Sequence, residues 1–365
     1  YCLIRYFFLN LRMRSFVNVF KYAAPFTLFI LAYLSFHSAG WYCWVPLCYI
    51  FILVPLVELF IPPDPKNLNA AEEQLAKVNK AYDFVLWLTV PAQFFLLLTF
   101  LSCIHEKDPF QETLGKIISM GLLCGTFGIN VAHELGHRSN RFEQFLSKSL
   151  LLTSLYMHFF IEHNKGHHKH VATPHDPSTA KYKQSIYAFW MQTLIGTYQS
   201  AWHIAIGDAK KRNNTFPILN NEMFWFQSIQ IVFVMSIFLL FGAMVCICFL
   251  IAALIGALLL ETVNYIEHYG LQRETTDGTS YERVLPTHSW NSNHIIGRLM
   301  LFELSRHSDH HYLASRKYQI LRHMDDAPQM PTGYPGMILL ALFPPFWFKV
   351  MHHQMKKFGI QMKHG

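Results

Sequence analysis

Apolar residues fall in six long blocks, at roughly 16–37, 41–61, 82–104, 112–132, 224–242 and 244–264. Each is close to the ~20 predominantly apolar residues that cross a bilayer as a helix, so the pattern predicts six transmembrane helices. The breaks differ in character. Ser38–Gly40 is short and uncharged, whereas 62–81 holds Pro62, Pro63 and Pro65 with Lys66, Lys77 and Lys80. The stretch near 105–111 carries Lys107, and the turn near Gly242 has no charge. Two long, mostly polar segments remain, 133–223 and 265–365.

The basic residues orient this arrangement. Arg5, Arg12, Arg14, Lys21, the 62–81 loop and both long segments fall on one side, and Lys107 falls alone on the other. The positive side of a membrane protein faces the cytoplasm. The expected fold is an all-α integral membrane protein of three hairpins in the inner (cytoplasmic) membrane, with both termini and a histidine-rich metal-binding region on the cytoplasmic side. The first block is too long for a signal peptide and lacks a small-residue cleavage site. Because the sequence begins with Tyr1, a short native N-terminal stretch is expected to precede it. Without internal repeats or low-complexity linkers, 1–365 reads as a single domain. Residues 145–162 predict a shorter helix against the membrane face, and 336–351, containing Pro344 and Pro345, an interfacial or re-entrant stretch.

Composition agrees: 52% of the 365 residues are hydrophobic and 15% are charged, against about 25% charged in a soluble domain. The net charge of +7 comes from residues flanking apolar runs, which speaks for membrane anchoring and against nucleic-acid binding. The cysteines Cys2, Cys43, Cys48, Cys103, Cys124, Cys246 and Cys248 form no CxxC pair. No zinc ribbon or rubredoxin-type site can be built from them, and they read as small core residues.

Histidine changes the picture, with 21 copies in clusters. HELGH holds His133 and His137, HNKGHH holds His163, His167 and His168, and HSDHH holds His307, His310 and His311. Residues at i, i+3 and i+4 share a helix face, so each cluster can aim imidazoles at one spot. His268, in NYIEHYG, sits where the sixth block leaves the membrane, and hydropathy puts all four places at one depth. His37, His203, His323, His352 and His353 read as isolated solvated or satisfied side chains. Crowded neutral imidazoles without metal would strand polar groups at roughly 1–3 kcal/mol each. Nine exceed the four positions of a tetrahedral zinc, which points to a two-metal centre. Imidazole suits zinc, copper, iron and nickel alike, so ligand type leaves the metal open. Glu134, Glu162, Glu267 and Asp309, each next to a cluster histidine, and Asp176 shortly beyond the second cluster are expected to accept imidazole N–H groups and offset the metal charge. Two other readings use fewer residues. A zinc protease would use His133, His137 and Glu134 as general base and leave seven histidines idle. A metal transporter would place its site near the midplane rather than at one face.

Taken together, HELGHR at 133–138, EHNKGHH at 162–168, NYIEHYGL at 264–271 and RHSDHHY at 306–312 resemble the motifs of the membrane-bound non-haem di-iron alkane 1-monooxygenases. HSWNSNH at 288–294, PTGYPG at 331–336 and VATPHDP at 171–177 extend the resemblance over about 80–350. It implies that His133, His137, His163, His167, His168, His268, His307, His310 and His311 bind two iron ions. It further implies a substrate tunnel between the helices, alkane as substrate, O2 as oxidant, and electrons from rubredoxin and its NADH-dependent reductase. Fatty-acid desaturases, lipid hydroxylases and xylene monooxygenases share the general plan, and NYIEHYGL favours the alkane enzymes. An acidic electron carrier would suit Lys165, Lys169, Lys181, Lys183, Lys210, Lys211, Arg212, Arg316 and Lys317, whose other reading is anchoring to anionic lipid. Trp41, Trp44, Phe51 and Trp87 are candidates for lining the tunnel, or else helix-packing aromatics. No acid–base side chain is nominated.

Overall fold

The computed structural model describes residues 18–211, 218–276, 278 and 280–361. Cys2, Arg5, Arg12, Arg14 and Arg212, used in the readings above, lie outside the described residues. Among those described, six helices are long and apolar enough to cross a membrane: Asn18–Phe36, Gly40–Glu58, Lys80–Ser102, Phe110–Gly136, Glu222–Phe241 and Ala243–His268. They match the six apolar blocks. The fourth runs further than its block, so His133 lies inside it, and His268 is the last residue of the sixth.

Consecutive spans reverse direction. Gly242 alone joins the fifth to the sixth at φ 86°, a conformation open to glycine because it has no Cβ. The starts of spans one, three and five therefore share an end with the finishes of two, four and six. Contacts at that end bind the spans to the histidine-bearing segments. Tyr22 donates to Glu303 at 2.8 Å, and Glu58 accepts from the Gly297 N–H at 2.7 Å. Asp83 pairs with Lys317 at 2.8 Å, and Lys148 with Glu222 at 2.6 Å. At the opposite end the Gly40 N–H meets Glu112 at 2.8 Å. Lys107 is not the only lysine there: Lys116, near the start of the fourth span, is paired with Asp108 at 2.9 Å, which cancels its charge.

The fourth span is the most enclosed of the six. Gly121 and Gly125 press on Ile255, Gly256 and Leu259 of the sixth, and a Cβ at Gly125 would lie 3.2 Å from the Gly256 carbonyl oxygen. Within a bilayer, such close approach by small residues replaces the hydrophobic drive that is missing between helices. It also brings the His133 and His268 ends together. Among the described residues, three π-helical turns interrupt the helices, at Tyr49–Leu53, Cys124–Ile129 and His163–His167. Each inserts a residue and re-aims the side chains beyond it.

The 133–223 segment is more helical than its polarity implies. It contains Arg141–Thr153, Phe159–Glu162 and a long helix, Ile186–Lys211. That last helix buries Phe189, Thr193, Thr197, Ala201 and Ala205. The four-residue period is helical, but threonines and alanines make the stripe too weak for hydropathy to register. The helix expected over 145–162 is broken after Thr153, where Leu155 takes φ 50°. The 336–351 stretch is two helices, Tyr334–Ala341 and Pro344–Lys357. Pro344 and Pro345 open the second rather than bending it, because the first helical turn needs no N–H donor.

Candidate metal centre

The four histidine-bearing places converge, but they do not stay together as sequence clusters. His133, His137, His163, His168 and His310 form one group, and His167, His268, His307 and His311 form the other. Within each, the ligand atoms lie within 4.8 Å of one another. In the first group the Nε2 atom of His310 is 2.9 Å from that of His133 and 3.1 Å from that of His168. In the second, the Nε2 atom of His311 is 2.9 Å from that of His307 and 3.2 Å from that of His167, and His307 and His268 approach to 3.2 Å. The groups adjoin, the rings of His168 and His311 being 4.5 Å apart.

The backbone explains the split. An α-helix would superpose His163 on His167, four residues on. The π turn instead puts His163 beside His168 and turns His167 into the second group. In His307–Tyr312 ordinary helical spacing pairs His307 with His311, while His310 faces the first group.

A set of imidazoles with converging nitrogens fits a pair of metal ions. A neutral ring has one N–H to offer, so Nε2 atoms meeting at about 3 Å cannot all be satisfied by one another. The buried His137 Nε2 has no hydrogen-bond partner. Burial pushes His137 down to about 3 and holds His163, His168, His307, His310 and His311 well below the usual histidine range. The rings are therefore neutral, the form that binds metal. His167 is the exception. Burial alone would lower it, but the Asp176 carboxylate raises it above the ordinary value.

Of the five carboxylates expected to accept imidazole N–H groups, Asp176 does so, taking the His167 Nδ1–H at 2.9 Å. The His268 Nδ1 meets a backbone acceptor instead, the His288 carbonyl, at 3.3 Å. Among the described residues, Glu134, Glu162 and Asp309 touch no imidazole by hydrogen bond. Glu134 accepts from Arg138 and from the Tyr318 N–H at 3.1 Å. Asp309 accepts from the Arg322 N–H at 2.9 Å and is ion-paired with Arg316 at 3.0 Å. Glu162 meets Ser200 at 3.4 Å, and burial, then the Asp176 charge, push it up to about 8. The reason is geometric: neighbours on a helix point about 100° apart, so sequence adjacency to a histidine turns a side chain away from it. Glu267 likewise misses His268, and its Oε2 lies 3.1 Å from the Nε2 of His307. Glu134, held by Arg138 and Tyr318, is not free to serve as the base of a zinc protease.

Several residues that frame the centre carry no metal-ligand chemistry of their own, and the sequence reading gave them no role. Asn291 accepts from the Ser308 N–H at 2.8 Å at the start of the His307–Tyr312 helix. Trp290 is fully buried and bonds the Glu267 and Tyr269 carbonyls. Tyr334 donates to Glu267 at 2.7 Å. Their signal was membership of HSWNSNH and PTGYPG.

A narrow apolar cavity of about 40 Å³ lies between the second, fourth and sixth spans and the Tyr334–Ala341 helix. Phe51, Asn130, Val263, Leu304 and Tyr334 are among its lining residues. Among the described residues, none that lines it is a histidine, but Asn130, Val263 and Leu304 lie three or four positions before His133, Glu267 and His307 in the chain, and Tyr334 donates to Glu267 at 2.7 Å. Of the other suggested tunnel aromatics, Trp41 is 83% exposed. Trp87 donates to Glu143 at 3.4 Å, and Trp44 buries an unpartnered Nε1. None of these three lines the cavity.

The basic candidates also divide. Lys165 pairs with Asp208, Arg316 with Glu73 and Asp309, and Lys317 with Asp83. Lys169, Lys181, Lys183, Lys210 and Lys211 are exposed.

A histidine-lined centre at one end of six long apolar helices defines a class. Residues 114–341 match the family model described as fatty acid desaturase. The chain is 39% identical over 318 residues to alkane 1-monooxygenase 2 of Pseudomonas aeruginosa, covering 86% of this chain and 84% of that one. It is 35% identical over 330 residues to alkane 1-monooxygenase 2 of Alcanivorax borkumensis, covering 88% and 85%. A more distant relative is the xylene/toluene monooxygenase hydroxylase component of Pseudomonas putida, at 27% over 248 residues, covering 68% and 65%. The protein belongs to the alkane 1-monooxygenase family.

Proposed function

We propose that the protein hydroxylates the terminal carbon of alkanes, with O2 as oxidant and two irons as cofactor. His133, His137, His163, His168 and His310 would hold one iron, and His167, His268, His307 and His311 the other. The observation that carries this reading is the convergence of nine buried or half-buried imidazoles into two groups; the apolar cavity, lined in part by Tyr334, which bonds Glu267 beside His307, supports it. Bound iron would supply the reductive activation of O2 and the oxidation of a C–H bond.

The chain's own residues do the rest. An alkane offers no polar handle, so its binding rests on burial of methylenes, at about 0.8 kcal/mol each. A cavity of about 40 Å³ has room for only a few waters, at roughly 10–15 Å³ of such space each. An alkyl chain therefore enters by displacing neighbouring side chains, and a narrow path lets only its end reach the centre. That favours terminal attack although terminal C–H bonds are the stronger ones. Burial of the imidazoles keeps bulk water from the reacting groups.

Electrons would come from rubredoxin, reduced by an NADH-dependent reductase, and the exposed Lys169, Lys181, Lys183, Lys210 and Lys211 suit an acidic carrier. With that lysine-rich end facing the cytoplasm, donor and centre share one compartment. The test is the purified protein's iron content, with product analysis in the presence of rubredoxin, reductase and NADH. Two irons per chain and primary alcohol are expected. Zinc in place of iron, with no oxygenated product, would overturn the reading.

A further inference from the structure

The two imidazole groups are unequal, five against four, and one carboxylate makes up the difference. Glu267 is 1% exposed, with its Oε2 3.1 Å from the His307 Nε2, the nitrogen that faces the other ligand atoms of the four-histidine group. Its Oε1 accepts from Tyr334 at 2.7 Å. Among the described residues, no lysine or arginine is paired with it. A buried carboxylate needs a positive partner, and nine neutral imidazoles leave the charge of two metal ions almost uncompensated. Acceptors that merely orient a metal-binding histidine take the N–H on the far side of the ring, as Asp176 does with His167. Glu267 approaches the near side.

We propose that Glu267 is a tenth metal ligand, giving the four-histidine site five protein donors like its neighbour, and that Tyr334 is the positioning residue that aims it. This rests on the di-iron reading above. It also gives the PTGYPG turn a task. Gly333 packs against the Glu58 carboxylate at the end of the second span, which fixes the start of the Tyr334–Ala341 helix and with it the Tyr334 hydroxyl.

The experiment is Mössbauer spectroscopy of the full chain, loaded with the Mössbauer isotope of iron and reduced, in wild type, Glu267→Gln, Glu267→Asp and Tyr334→Phe. Wild type should give two iron environments of equal weight. Glu267→Gln should alter one and leave the other, and should lose iron from the altered site to a chelator on the order of tenfold faster. Glu267→Asp should restore part of the original signal. Tyr334→Phe, which keeps the carboxylate but frees it, should shift the same environment by less. Two unchanged environments in an iron-loaded Glu267→Gln protein would overturn the proposal. If that variant does not fold, an unchanged Tyr334→Phe spectrum would overturn it equally. Wild type without iron would instead sink the di-iron reading itself.

Discussion

His163 and His168 bring their Nε2 atoms to 3.0 Å although they stand five positions apart, because a π turn spans His163–His167. That one extra residue per turn decides which metal group each histidine joins. A Cβ on Gly166, within the turn, would overlap the Glu162 carboxylate. Gly166→Ala should therefore displace the turn and misplace His167 and His168. Turnover should fall by about a hundredfold, the scale expected of an ångström-sized error in positioning, with less than two irons bound. Metal analysis beside an activity assay checks this.

His268 is the one member of the nine outside the three clusters, and it is fully buried beside His307. His268→Ala should abolish hydroxylation and deplete iron from the four-histidine group. His203 is exposed and meets the Gln199 carbonyl, so His203→Ala should change stability by no more than about 0.5 kcal/mol. A fully active His268→Ala enzyme would remove that residue from the ligand set.

Phe51 lines the cavity from the second span. Phe51→Ala should deepen it and move the preference toward longer alkanes, by about fourfold in relative kcat/KM for each extra methylene buried. Competition between alkanes of two lengths measures the ratio.

Acid should strip the metal. Burial lowers the folded-state pKa of His137 to about 3, and unfolded histidine titrates near 6.5. The unfolded chain thus binds more protons between those limits, and stability and metal retention are full above about pH 6.5 and fall as pH drops toward 3. Iron release followed across that range checks the direction. Release that grew on going alkaline from neutral would contradict it.

Charge reversal at Lys181 and Lys183, both exposed, should raise the apparent KM for an acidic electron carrier and leave folding intact. Lys317→Glu should act differently. Lys317 is paired with Asp83, which is 1% exposed and also meets Arg138 and Lys80, so reversal sets a second carboxylate beside a buried one and should lower the melting temperature. Steady-state kinetics and thermal melts separate the two effects.

The sequence foretold the six spans because each buried or lipid-facing helix needs a long apolar run, and that signal survives without any neighbour. The nine histidines were equally visible, since their clustering has no packing explanation. Their partition was hidden, because it depends on a π turn with no sequence signature. The long Ile186–Lys211 helix was missed because its buried face is threonine and alanine. Glu134, Glu162 and Asp309 were misassigned by judging nearness along the chain, where a helix sends neighbours in different directions. Tyr334 could be inferred only from its motif, because its partner Glu267 lies far away in sequence.

The central claim is that oxygen from O2 is inserted at the end of an alkane. The most direct test is to incubate the iron-loaded protein with rubredoxin, reductase, NADH and octane under isotopically heavy oxygen gas, and to analyse the product by mass spectrometry. The account predicts a primary alcohol carrying one heavy oxygen atom at the terminal carbon. An alkene, an unlabelled alcohol, or no oxygenated product from protein holding two irons would contradict it.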